Sequence, residues 1–210
     1  MPLSGIVFIA LIVSSFFIGN TPASNASAST VLAYYRTHKT ESNVTALLIG
    51  LGIIAGLFFF GYLREYLRQD HASRWLASIA FGGAVVFALG GAISAGAFLA
   101  LGDAPQALTP STAQTMNLVQ ADLTNSLMQV GLAVFYLATA VVILRSRLLP
   151  AWLGWVSVVL GLVAASLIIA FIAFLATGLW VIAVAIMLWI HPVREQAEQE
   201  DAPRRPQPVG

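Results

Sequence analysis

Apolar residues fill long uninterrupted runs along this chain, and short polar segments separate them. The first run is Leu3 to Gly19, LSGIVFIALIVSSFFIG. Others cover Val44 to Leu63, the interior of Trp75 to Gly102, and Leu127 to Leu144. A final stretch from Leu148 to Val193 carries no Asp, Glu, Lys or Arg. At ~1.5 Å per residue it is roughly twice too long for one crossing of a ~30 Å hydrocarbon core. A tight turn near Phe171 to Gly178 divides it into two helices. The pattern predicts an all-α fold, an integral membrane bundle of six transmembrane helices within residues 1–191. The spans fall at about 3–19, 44–63, 76–101, 126–145, 151–170 and 173–191.

Lys and Arg set the orientation of such a bundle. The segment before the first span has none, and the first loop has Arg36 and Lys39. The second loop has Arg64, Arg68 and Arg74, the fourth has Arg145 and Arg147, and the third and fifth have none. Residues after the sixth span add Arg194, Arg204 and Arg205. Alternate compartments receive eight and two, which places both termini in the cytoplasm. Trp75, Trp152, Trp155 and Trp189 then fall at cytoplasmic span ends, with Trp180 near the outer end of the sixth span, where amphipathic rings favour the headgroup level. The Pro-rich segment 192–210 reads as a disordered cytoplasmic tail.

Composition agrees with the pattern. Only 9% of residues are charged, against about 25% in soluble domains, too few to cover a water-exposed surface. The formal net charge of +1 points to no nucleic-acid partner. With no cysteine, disulfides and thiolate chemistry are excluded. The first run, followed by ASNASAST with its Ala26-x-Ala28, also has the form of a cleaved signal peptide. No basic residue precedes it and Ala-x-Ala lies well beyond it, which favours an uncleaved anchor; cleavage would leave five spans.

The loops carry some expectations of their own. In TVLAYYRTHKTE, Val31, Leu32, Tyr34, Tyr35 and His38 predict a short helix lying on the membrane, with Arg36 and Lys39 towards lipid phosphates. In GDAPQALTPSTAQ, Ser111 or Thr112 is the expected N-cap. Glu65 and Arg68, three apart in the second loop, are placed to pair on a helix.

Small residues mark helix packing, because backbones in lipid approach closely only where side chains are small. The expected contacts are Gly52 and Gly56 in the second span, Ala84, Ala88, Ala92 and Gly96 in the third, and Gly161 in the fifth. These ridges also offer a surface for a homo-oligomer or another membrane protein. His38, His71 and His191 sit at span ends, where no pair can clasp a metal or haem in the bilayer. No Gly-x-Ser-x-Gly, HExxH or Walker glycine loop occurs, so no catalytic residue, metal site or cofactor is expected. One polar stripe remains: in NLVQADLTNSLMQ, Asp122, Asn125 and Gln129 share a helical face that Tyr136 continues. It is either the wet end of a span or the lining of a shallow polar pocket.

RSRLLPAWLGWVSVVLG, an Arg-bearing loop followed by Leu-Pro-x-Trp-Leu-Gly-Trp at the start of the fifth span, resembles a group of uncharacterised six-span membrane proteins, chiefly actinobacterial. ASTVLAYYRTHKTE after the first span and the short basic loop after the second add to the likeness. The resemblance implies a bacterial plasma-membrane protein with an uncleaved first span, and no activity. The sequence thus points first to a non-catalytic scaffold or accessory component in the lipid bilayer. Its alternative is a small transporter or binder of an apolar or weakly polar ligand that enters from the outer face.

Overall fold

The computed structural model describes residues 2–103, 105–166 and 170–190, with side chains of 170–173 excepted. The segment 192–210 and His191 lie outside these residues. Among the described residues eight α-helices form: α1 Leu3–Ile18, α2 Ala28–Thr37, α3 Lys39–Leu67, α4 Arg74–Asp103, α5 Pro110–Leu118, α6 Thr124–Ser146, α7 Ala151–Ala165 and α8 Ala170–Ile190. No strand occurs among the described residues. Three segments are long and apolar enough to cross a membrane: Lys39–Leu67, His71–Asp103 and Pro110–Ser146, which runs through α5 and α6. Leu3–Ile18, Ala151–Ala165 and Phe174–Ile190 are apolar but shorter. At 16 residues α1 rises only ~24 Å, because the backbone turns extended at Gly19.

Neighbouring helices run antiparallel. Gly5 faces Phe59 and Gly52 faces Ile12 across α1 and α3, while Gly102 faces Asn43 and Gly91 faces Ile53 across α3 and α4. Gly90 faces Met128 across α4 and α6, and Gly161 faces Leu137 across α6 and α7. Contacts between α7 and α8 and between α8 and α1 close the ring. An aromatic cluster fills its middle: Phe60 packs edge-on against Phe8 and Phe135, and Phe135 against Trp180.

Trp180 is therefore not the interfacial residue its position near a span end suggested. It is 3% exposed, and its indole N–H donates to Ser157 Oγ at 2.9 Å. Trp75, Trp152, Trp155 and Trp189 are exposed. In the Leu-Pro-x-Trp-Leu-Gly segment, Leu149 and Leu153 are buried and Gly154 admits Leu144, so the pattern seats α7 against α6.

The two ends of the bundle differ. At one end lie Arg64, Arg68, Arg74, Arg145 and Arg147, with Glu65 bonded to Arg64 at 2.8 Å and to Arg68 at 3.2 Å. At the other, α2 and α5 pack together as a cap. Val31, Leu32 and Tyr35 of α2 are buried with Phe98, Leu101 and Ala113. The apolar face of α2 thus covers protein instead of lipid, and Lys39 Nζ donates to the Asp103 carbonyl at 2.9 Å. Helix α5 is capped by Thr109, whose Oγ1 accepts from the Thr112 N–H, with Pro110 next. The expected caps, Ser111 and Thr112, lie inside the helix, since proline suits the first helical position.

The small-residue ridge of α4 leaves the interface halfway along. Ala84 and Ala88 are buried, but Ala92 and Gly96 are exposed, and nothing approaches Gly96 within 4 Å. Four residues turn an α-helix by about 400°, so such a ridge drifts about 40° per step away from a straight neighbour. The contact with α6 uses Gly83 instead: a Cβ there would lie 2.5 Å from the backbone nitrogen of Phe135 and 2.7 Å from the Gly131 carbonyl.

Candidate functional site

Between α5 and α6 the helix widens by one residue. Val119–Leu123 forms a π-helical turn in which the Thr124 N–H reaches the carbonyl of Val119, five residues back. That register releases the Gln120 carbonyl, and the Thr124 hydroxyl donates to it. Gln120 in turn donates from Nε2 to Ser94 Oγ on α4 at 3.2 Å. Single π turns inside α-helices are frequent at functional sites. This one forms a wall of a cavity.

The cavity has a volume of about 350 Å³ and lies among α1, α3, α4, α6 and the start of α8, below the cap. That volume falls within the ~300–1,000 Å³ of small-molecule sites. Towards the cap its lining is polar: Thr21, Thr45, Ser94, Gln120, Thr124 and Asn125. Its deeper walls are Phe8, Ile53, Phe87, Leu132 and Phe174. Among the described residues no Asp, Glu, Lys, Arg or His lines it.

Two residues of this lining each carry a polar atom that makes no hydrogen bond with the protein and that packing closes off from the cavity. One is Thr45 Oγ1, on a residue 2% exposed, and the other is Gln129 Oε1, on a residue 6% exposed. A buried polar atom without a partner costs ~1–3 kcal/mol. Antiparallel pairing sets the depth of each. Thr45 is level with Gly19 at the cap end of α1, whereas Gln129 adjoins Met128, which is level with Gly90 and hence with Ile53. Eight residues of α3 separate Thr45 from Ile53, so Gln129 lies roughly 12 Å deeper.

Of the expected stripe, Asn125 and Gln129 line the cavity together and Asp122 and Tyr136 do not. Asp122 sits within the π turn, whose extra residue rotates it off the shared face, and it is exposed. Tyr136 is fully buried deeper in α6, edge-on to Phe135 and Trp180, beyond the aromatic floor. Residues of α1, α3, α4 and α8 and of the segment after α1 complete the lining. Sequence spacing within one helix holds no signal for them, apart from Gly91, which admits Ile53.

Hydrogen bonds hold the cap over this end. Asn117 Nδ2 donates to the Pro22 carbonyl at 3.3 Å, and Gln114 Nε2 to the Ala26 carbonyl at 3.1 Å. The hydroxyl of Tyr35 donates to Asn117 Oδ1 at 3.2 Å, and that of Tyr34 to the Asn20 carbonyl at 2.7 Å. Burial, and secondarily the neighbouring Tyr34, pushes the Tyr35 phenol above its ordinary value. The segment joining α1 to α2 is thus tied to α5, whose C-terminal end runs into the π turn. Among the described residues no group of three or more His, Asp or Glu is placed to hold a metal ion. Comparison of the chain with protein-family models, with curated proteins and with solved structures found no match.

Proposed function

We propose that the chain is a six-span protein of the bacterial plasma membrane, with both termini cytoplasmic. In this reading it binds an uncharged apolar or weakly polar molecule in the cavity below its outer cap. Three helices of spanning length, three shorter apolar ones and a belt of exposed apolar side chains support the membrane assignment. Phe17 is 86% exposed, Leu179 73% and Phe58 65%, an apolar surface incompatible with water. The asymmetry of Arg between the two ends supports the orientation.

One observation carries the binding reading: a cavity of about 350 Å³ that is polar towards the cap and aromatic below. Helix packing alone leaves no internal space of this size, so binding is preferred here to the scaffold reading. Among the described residues the lining holds no Asp, Glu, Lys, Arg or His, and the reading is of recognition.

Single cysteines at Asp122, Asn125, Gln129 and Tyr136 test it against a cysteine-free background. A membrane-impermeant thiol reagent added from outside should label positions 122 and 125 readily. It should label position 129 more slowly and leave 136 untouched. Position 129 remaining as inert as 136 would remove the cavity as a binding site.

A further inference from the structure

We propose that the cavity takes its ligand sideways from the outer leaflet. The ligand is an uncharged single-chain amphiphile, whose alkyl chain fills the apolar part of the cavity while its polar head stays at the mouth. The proposal deepens the binding reading and rests on it.

The position of the mouth carries the argument. Lining residues that are also exposed mark it: Phe16 near the end of α1, Thr21 just beyond that helix, and Asn125 near the start of α6. Beside them on the outside lie Phe17, Ile18 and Leu123, large apolar side chains that are exposed as well. An opening with such a rim faces lipid, because water would penalise it. Helix α7, packed along α6 further down, does not reach this level. Gly161 faces Leu137, so Ala165, the last residue of α7, is level with Ala133 and roughly 12 Å short of Asn125.

Polarity and width then select the ligand. Thr21, Gln120 and Asn125 lie at the mouth, and Phe8, Phe87 and Leu132 lie deeper. This is the order of headgroup and alkyl chain in the outer leaflet, so an amphiphile enters without turning over. From the level of Thr45 to that of Ile53 the cavity is roughly 12 Å deep. Spread over that depth, its volume of about 350 Å³ gives a mean cross-section of roughly 30 Å², close to one fluid alkyl chain and too narrow for two. With a methylene taken at ~30 Å³, like a water molecule in the liquid, the volume holds about ten to twelve carbons. Transfer out of the bilayer removes no apolar surface from water, so the fit of the alkyl chain decides occupancy. Among the described residues no charged side chain lines the cavity, and a charged head would find no counter-charge there. The amides of Gln120 and Asn125 can both donate to and accept from hydroxyl groups, which suits an uncharged head.

The test uses the full-length protein in phosphatidylcholine nanodiscs. The probe is a monoglyceride of dodecanoic acid with a photoactivated diazirine near the methyl end, and labelled residues are read by mass spectrometry. It should label Phe87 or Leu132, which are buried inside the bundle, as well as lipid-facing Phe58. Asn125→Trp narrows the mouth and should lower interior labelling about tenfold relative to that of Phe58. Thr21→Trp repeats the comparison should the first variant fold poorly. Labelling of Phe58 without Phe87 or Leu132 overturns the proposal, as does interior labelling that neither variant lowers. A diazirine-bearing hexanol added from water separates this failure from that of the binding reading. Interior labelling by the hexanol alone leaves a cavity that binds but does not draw on the leaflet. Interior labelling by neither probe overturns both.

Discussion

Gly83 and Gly131 lie where α4 and α6 meet backbone to backbone, and neither neighbour can yield to a methyl group. Gly83→Ala should therefore destabilise the bundle by about 1–3 kcal/mol, the usual cost of forcing extra volume into a packed contact. Gly96→Ala meets open space and should gain up to ~1 kcal/mol from the better helix propensity of alanine. Unfolding midpoints in detergent titrated with a denaturing surfactant separate the two variants, and equal midpoints would remove Gly83 from the interface. At this scale the sequence reading was uneven. Gly52, Gly56 and Gly161 do meet neighbouring side chains, Ile12, Phe8 and Leu137 respectively. Gly83, Gly90 and Gly131 escaped it, because their spacing of seven and the identity of the facing helix have meaning only together. Trp180 shows the same limit: a tryptophan near a span end reads as interfacial until Ser157, on another helix, supplies its indole with a buried partner.

Elements bring a different kind of surprise. The π turn at Val119–Leu123 adds one residue to a helix, and no periodicity in the sequence announces it. Deleting Ala121 should restore a regular α-helix and rotate α5 by about 100° relative to α6. Asn117 and Gln114 would then lose their partners in the segment before α2, at ~1 kcal/mol per hydrogen bond. A loss of roughly 2–3 kcal/mol is expected in the same unfolding assay, together with closure of position 129 to external thiol reagents. An unchanged midpoint would show that the turn does not set the register of the cap.

The cap that α2 and α5 form carries a pH dependence as well. Burial raises the Tyr35 phenol, and burial followed by Glu41 raises that of Tyr34, above the ordinary phenol value of about 10. Once the cap opens, these phenols ionise near their ordinary value, so each contributes stability that is complete below about pH 10 and declines as the pH rises above it. The thermal unfolding midpoint should be flat from about pH 7 to 9 and fall beyond about pH 10. Tyr35→Phe should lower the midpoint at neutral pH, through loss of its bond to Asn117, and blunt the alkaline fall. An identical alkaline slope in that variant would exclude Tyr35 as the source.

For the molecule as a whole, patterning alone determined that the chain is helical and roughly where its apolar helices lie, but the turn it placed near Phe171 to Gly178 falls inside α8, which already begins at Ala170 after α7 ends at Ala165. The first two are properties of composition and period: an apolar run must keep its backbone bonds within itself wherever lipid replaces water. The candidate stripe was half legible for the same reason, since Asn125 and Gln129 follow one another on α6 at helical spacing. Tertiary structure alone decided the rest. The cavity forms because α1, α3, α4 and α8 converge on that stripe, and because one inserted residue turns Asp122 away from it. It decided too that the apolar face of α2 is buried against protein, since Ala46 of α3, Phe98 and Leu101 of α4 and Ala113 of α5 receive it. Period along a chain specifies which face of a helix is apolar, whereas a cavity is a relation among faces of several helices, fixed only when they pack.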